Sequence, residues 1–300
     1  MLQKKASLKN GGDDANTSAV FSDGEPIQPI PSPTELEEPS ITVEKGENNG
    51  VSIFFSPNNH GKPTRLIFSG IFEKSLLRTF FTADLITTIV LKNIFQAESC
   101  VLGHSEFPRL EHVVFDGGNC HTHMPGTVSK ISYLGNYEIE KNLSLPGHVR
   151  EMAITSEISH ALRSLSCGSL TRIRVDGQNI AADGIIRFGP ELGGLKAIDL
   201  SGSSFHEVRI SGLLSLEHLF LSHSTVSSLK IGSESMGNLR SIAIIGCEHL
   251  QLGDYGEPLL SSSQLTITYD NGTADKEVFN SNGDNPRIRC HFVKIDGTTS

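Results

Sequence analysis

The 300-residue sequence predicts an α/β-type repeat solenoid: a parallel sheet on its concave face, with short strands, turns and a few short helices on its convex side. Two observations predict it. First, an apolar triplet recurs at offsets 0, +3 and +5, as in Leu110, Val113 and Phe115; Val149, Met152 and Ile154; Leu170, Ile173 and Val175; Leu195, Ile198 and Leu200; Leu216, Leu219 and Leu221; and Leu239, Ile242 and Ile244. Second, the copies are periodic: from Ile86 to Leu239 successive starts lie 24, 18, 21, 21, 25, 21 and 23 residues apart. At 37% hydrophobic content one such triplet arises by chance about 5% of the time, so six full copies mark a repeat. Offsets +3 and +5 point to one side of a short strand, while offset 0 turns inward just before it. A unit of this length cannot close a core alone; stacked units can, each strand pairing with the next.

In chain order, residues 1–50 carry nine acids against four Lys, and Pro26, Pro29, Pro31 and Pro33 fall close together. Such a segment buries too little apolar surface to offset its ordering entropy, so a disordered acidic tail is expected there. A single solenoid domain is expected over 51–297. Phe72, Leu76 and Phe80 space an amphipathic helix over about 72–83, an N-terminal cap that covers the first apolar edge. Weaker triplets start at Ile86 and Val128, and the pairs Leu66 with Phe68, Leu265 with Ile267, and Val293 with Ile295 mark the faint end copies. Among the return limbs, Phe205–Ile210 and Val226–Ile231 alternate apolar and polar residues and suit second short strands. Ser156 suits the N-cap of a helix carrying Ile158, Leu162 and Leu165.

The segments Leu216-Glu217-His218-Leu219-Phe220-Leu221 and Leu195-Lys196-Ala197-Ile198-Asp199-Leu200 resemble the LxxLxL core of leucine-rich-repeat proteins. That family continues with Asn or Cys near +8 or +9 and an apolar residue near +10. Here Asn119 and Asn179 stand at +9, Cys247 at +8, and Ile180, Phe205 and Val226 at +10, while Ser203 and Ser224 replace the commoner Asn. The likeness covers about 63–295. It implies a non-enzymatic scaffold that binds another protein through its parallel sheet.

Composition excludes several classes. No apolar run approaches the roughly 18–20 residues that cross a bilayer, and the first ten residues lack the apolar stretch of a Sec signal peptide. A cytoplasmic protein, or one exported by another route, is therefore expected. A net charge of −9 argues against nonspecific nucleic-acid binding. Five scattered Cys fit a reducing compartment. The run Cys120-His121-Thr122-His123, with His104 and His112 upstream, lacks the second ligand pair of a zinc site and reads as a loop, with Cys120 at the apolar +10 place and His112 in a strand. Cys247 suits a buried turn thiol. There is no GxSxG, HExxH or GxxxxGK[ST] motif, so neither a catalytic residue nor a cofactor is assigned. The sequons at Asn142 and Asn271 read as chance.

The outward columns of the sheet are the candidate binding surface. From the Leu170 copy to the Leu239 copy, offset +2 reads Arg172, Ala197, His218, Ser241, and offset +4 reads Arg174, Asp199, Phe220, Ala243. Offset +1 adds Lys196, Glu217 and Arg240. The expected partner site is Arg172, Arg174, Asp199, Glu217, His218, Phe220 and Arg240, with Phe220 as an exposed anchor. Cross-strand charge ladders, Arg174 with Asp199 and Lys196 with Glu217 and Arg240, are the plainer reading of the same residues. The competing function is a right-handed parallel β-helix enzyme acting on a polysaccharide, which would gather Asp and Arg on one sheet face. The tail plus repeat body also suits a secreted effector of a host-associated microbe.

Overall fold

Short runs of β-branched and aliphatic residues, each ended by Gly or a small polar residue, form one strand per repeat. The computed structural model describes residues 40–45, 51–55, 63–72, 83–95, 100–120, 122–137, 145–155, 165, 167–176, 184–250, 265–270 and 288–292. The strands are β1 (Ser40–Lys45), β2 (Val51–Phe55), β3 (Arg65–Ser69), β4 (Thr88–Ile94), β5 (Cys100–Val101), β6 (His112–Gly118), β7 (Thr122–His123), β8 (Lys130–Tyr137), β9 (Glu151–Thr155) and β10 (Arg172–Asp176). They continue as β11 (Ile185–Phe188), β12 (Ala197–Asp199), β13 (Glu207–Ile210), β14 (His218–Phe220), β15 (Ser228–Ile231), β16 (Ser241–Ala243), β17 (Leu265–Tyr269) and β18 (Ile288–Phe292).

These strands make a parallel β-solenoid. A 13-stranded sheet runs β18-β17-β16-β14-β12-β10-β9-β8-β6-β4-β3-β1-β2, and only the β1–β2 pair is antiparallel. The second-limb strands expected at Phe205–Ile210 and Val226–Ile231 are β13 and β15; with β11 they form a 3-stranded parallel sheet. Helix is nearly absent among the described residues: α1 (Ser233–Met236) is one turn, and Ala83–Leu85 and Pro190–Leu192 are 3-10 turns. The return limbs there are strand and turn. The expected cap helix falls largely on 73–82, and the helix after Ser156 on 156–164; both lie outside the described residues.

The register fixes what the triplets do. Leu66, Ile89, Val113, Ile131, Met152, Ile173, Ile198, Leu219, Ile242 and Ile267 pair in one unbroken row across the sheet. This is the +3 column. The +5 column stacks beside it, from Phe68 through Phe115 and Tyr133, whose rings stack at 5.0 Å, to Ile244 and Tyr269. Together with the offset-0 residues these columns form one continuous buried core.

Two boundaries differ from expectation. Ser40–Lys45, placed by composition within the acidic tail, is β1: Ile41 and Val43 are buried against Leu66 and Phe68, so the first turn is closed from the N-terminal side. In β17 the residues level with the +3 and +5 columns are Ile267 and Tyr269, with Leu265 buried two places earlier on the same face, and β18 sets Cys290 and Phe292 in register with them; Val293 and Ile295 lie outside the described residues. A shift of two residues keeps the same face, so alternation alone does not resolve it.

Among the described residues, the turn after seven of the main-sheet strands also repeats. Gly70, Asn93, Gly117, Gly135, Gly202, His223 and Gly246 all stand at +7, and all have positive φ. At +8, the buried Ser203 hydroxyl donates to the Val175 carbonyl at 2.5 Å, and the Cys247 thiol donates to the Leu221 carbonyl at 2.8 Å. Each side chain thus satisfies a carbonyl two strands back in the chain and ties one turn to the preceding one.

Candidate functional site

Arg172, Arg174, Asp199, His218 and Phe220 lie on strands β10, β12 and β14, and Glu217 and Arg240 immediately precede β14 and β16; the inward positions of these four strands are filled by Ile173, Ile198, Leu219 and Ile242. Because side chains alternate, the neighbours of these core residues face outward. The structure brings the expected residues together: Arg172 is level with Ala197 and His218, and Arg174 with Asp199 and Phe220.

Phe220 faces outward but is only 4% exposed. It forms a small cluster with Ala197 and Ala243, separate from the main core, and its ring lies 6.4 Å from that of His218. The expectation of an exposed aromatic anchor is corrected. Small side chains on both flanking strands let the ring sink between taller neighbours.

Asp199 is 1% exposed. Burial pushes its carboxyl above the usual carboxylate range; the Ser201 amide, donating to Oδ1 at 3.0 Å, and Arg174 oppose that rise. Arg174 is held from both sides: its Nε donates to Asp176 at 2.9 Å, and its Nη1 lies 3.9 Å from Asp199 Oδ2. His218 meets the Ser241 hydroxyl at 2.7 Å, and burial lowers its pKa.

The two expected charge ladders are present, and a third continues them. Lys196 and Arg240 flank Glu217 at 3.5 and 3.8 Å. One strand group away, Lys130 and Arg172 flank Glu151 at 3.2 and 3.6 Å. Each of these last two groups is cation, acid, cation, and so carries one net positive charge, whereas Arg174 stands between two acids, Asp176 and Asp199. The cations also stand furthest out: the Lys130, Lys196 and Arg240 side chains are 47%, 58% and 72% exposed, against 21% and 25% for Glu151 and Glu217. Pairs this exposed contribute at most about 1 kcal/mol each to folding, so their charge remains available to a partner.

Glu151, Asp176 and Lys130 were not among the expected site residues. Their signal was in the repeat: Lys130 and Glu151 occupy the +2 place of their own copies, level with Arg172. Asp176 is the +6 residue beside Arg174.

Elsewhere, His112 lies in β6 and meets the Ser132 hydroxyl at 2.8 Å; burial first, then Lys130 and Arg65, lower its pKa to about 4. Among the described residues no three His, Cys, Asp or Glu side chains gather as metal ligands, and His121 lies outside them. On the second sheet Glu207 accepts from Arg209 at 2.6 Å and lies 2.8 Å from Lys230, which together hold its carboxyl down at about 2. No helix among the described residues is long and apolar enough to cross a membrane. No known family's sequence profile matches the chain, and no curated protein is similar to it in sequence.

Proposed function

We propose that this chain is a non-enzymatic, leucine-rich-repeat-like scaffold that binds an acidic partner protein through the outward face of its long sheet. The observation that carries this is the pair of cation–acid–cation groups, Lys130–Glu151–Arg172 and Lys196–Glu217–Arg240, on a chain of net charge −9. The exposed cations of these two groups are held by strands that are already ordered, so association costs little additional entropy. The leucine-rich-repeat likeness is supported by the register of the triplets and by the +8 side chains that bond to the preceding turn. A secreted effector that acts by such binding remains part of the proposal.

The polysaccharide-enzyme reading draws on the grouping of Arg174, Asp176 and Asp199. A catalytic carboxyl must touch its substrate, and burial of Asp199 weighs against that role. The binding reading is tested by affinity capture with three baits: wild type, the double variant Lys196→Glu/Arg240→Glu, and Lys230→Glu on the opposite limb. The expected result is a protein retained by wild type and Lys230→Glu and lost by the double variant. Equal retention by all three would overturn it.

A further inference from the structure

Four cysteines fall among residues with described side chains; all are buried and none is in a disulfide. Two of them have backbone or hydroxyl partners: Cys247 donates to the Leu221 carbonyl, and Cys167 lies 3.2 Å from the Ser169 hydroxyl. Cys100 and Cys120 differ. They belong to return limbs of consecutive turns, those that follow β4 and β6. The short ladder β5–β7 sets Cys100 level with Thr122, two residues beyond Cys120, and the Leu102 amide donates to the His123 carbonyl at 2.9 Å just beyond it. The two thiols hydrogen-bond to each other, and the residues are 2% and 1% exposed. A thiol–thiol contact between adjacent limbs, 20 residues apart in sequence, is where a disulfide can form once local adjustment of the short β5–β7 limbs brings the two sulfurs to bonding distance.

We propose that Cys100 and Cys120 form a reversible disulfide that staples the return limbs of these two turns, with hydrogen peroxide as the oxidant. The chemistry divides between the sulfurs. The Cys100 thiol donates to Cys120, which holds the proton on Cys100 and favours the thiolate at Cys120. Cys120 sulfur therefore attacks one oxygen of the peroxide, the O–O bond breaks, and water leaves after protonation. The resulting sulfenic acid is attacked by Cys100 sulfur, the S–O bond breaks, and a second water leaves. Two thiols and one peroxide give one disulfide and two waters, and a dithiol reductant reverses the step. The oxidant is small and uncharged, and the ladder lies near the surface: Val101, beside Cys100, is 44% exposed. Brief opening of two two-residue strands admits it.

The test uses the full chain, treated with hydrogen peroxide under native conditions, alkylated with N-ethylmaleimide and mapped by peptide mass spectrometry. The expected product is a Cys100–Cys120 cross-link, two hydrogens lighter than the paired reduced peptides and reversed by dithiothreitol, while Cys167 and Cys247 remain thiols. Cys100→Ser is expected to leave Cys120 as a sulfenic acid that dimedone traps. The oxidised chain should melt roughly 5 °C higher, since the bond closes a loop of about 20 residues. The proposal fails if these two thiols resist oxidation as Cys167 and Cys247 do, if the cross-link joins a different pair, or if it forms only in denaturant. The wild-type map decides this even if a Ser variant folds poorly.

Discussion

Replacing Leu219 by Ala is expected to lower stability by about 2–5 kcal/mol, measured by chemical denaturation. Leu219 is fully buried in the +3 row, directly between Ile198 and Ile242. In a stacked core every such residue supports both neighbouring turns, so the cavity left by the lost methyl groups is shared by three repeats. Ser222, three residues on and partly exposed, is the control: Ser222→Ala is expected to change stability by less than about 0.5 kcal/mol. Similar losses from the two would show that the register is wrong.

Arg174→Ala is expected to cost about 3 kcal/mol, because it leaves the buried Asp199 carboxylate without its cation. Asp199→Asn in the same background should recover much of that loss by removing the charge. The pH dependence carries a definite sign. Asp199 titrates above its unfolded value of 3.8, so the folded state binds more protons and this group's contribution weakens as pH rises through the interval above 3.8. Without Arg174 that interval widens, and the variant's deficit should be larger at neutral pH than near pH 4. By comparison, Arg172→Ala should cost less than about 1 kcal/mol, since its ion pair with Glu151 is partly solvated. A deficit for Arg174→Ala that does not vary with pH would contradict the account.

The inward columns were legible because burial enforces apolar residues at three fixed offsets in every turn, and the paired rows follow the triplets from Leu66 to Ile242. The outward face was legible as a set of residues but not as a surface. Whether Phe220 is covered depends on the size of Ala243, 23 residues away, and no local pattern carries that. β1 was hidden because Ile41 and Val43 make a short alternation inside an acidic, Pro-rich stretch, where composition outweighed it. The +7 column shows the opposite case. Its glycines were plainly in the sequence, but their common cause, a left-handed backbone step at the end of each strand, becomes visible only when the turns are stacked. Gly246 illustrates it: with φ at +69°, a Cβ there would also lie 2.6 Å from the His223 ring, so both backbone and neighbour require glycine.

The proposed binding rests on recognition of an acidic protein by the exposed cations Lys130, Lys196 and Arg240 of the long sheet. Salt dependence of the purified complex, measured by titration calorimetry at several ionic strengths, tests it most directly. Affinity is expected to fall steeply between low and physiological salt for wild type, with a flatter dependence for Lys196→Glu/Arg240→Glu, because screening acts on exposed charges of opposite sign across an interface. An affinity independent of salt, and equal in the double variant, would contradict it.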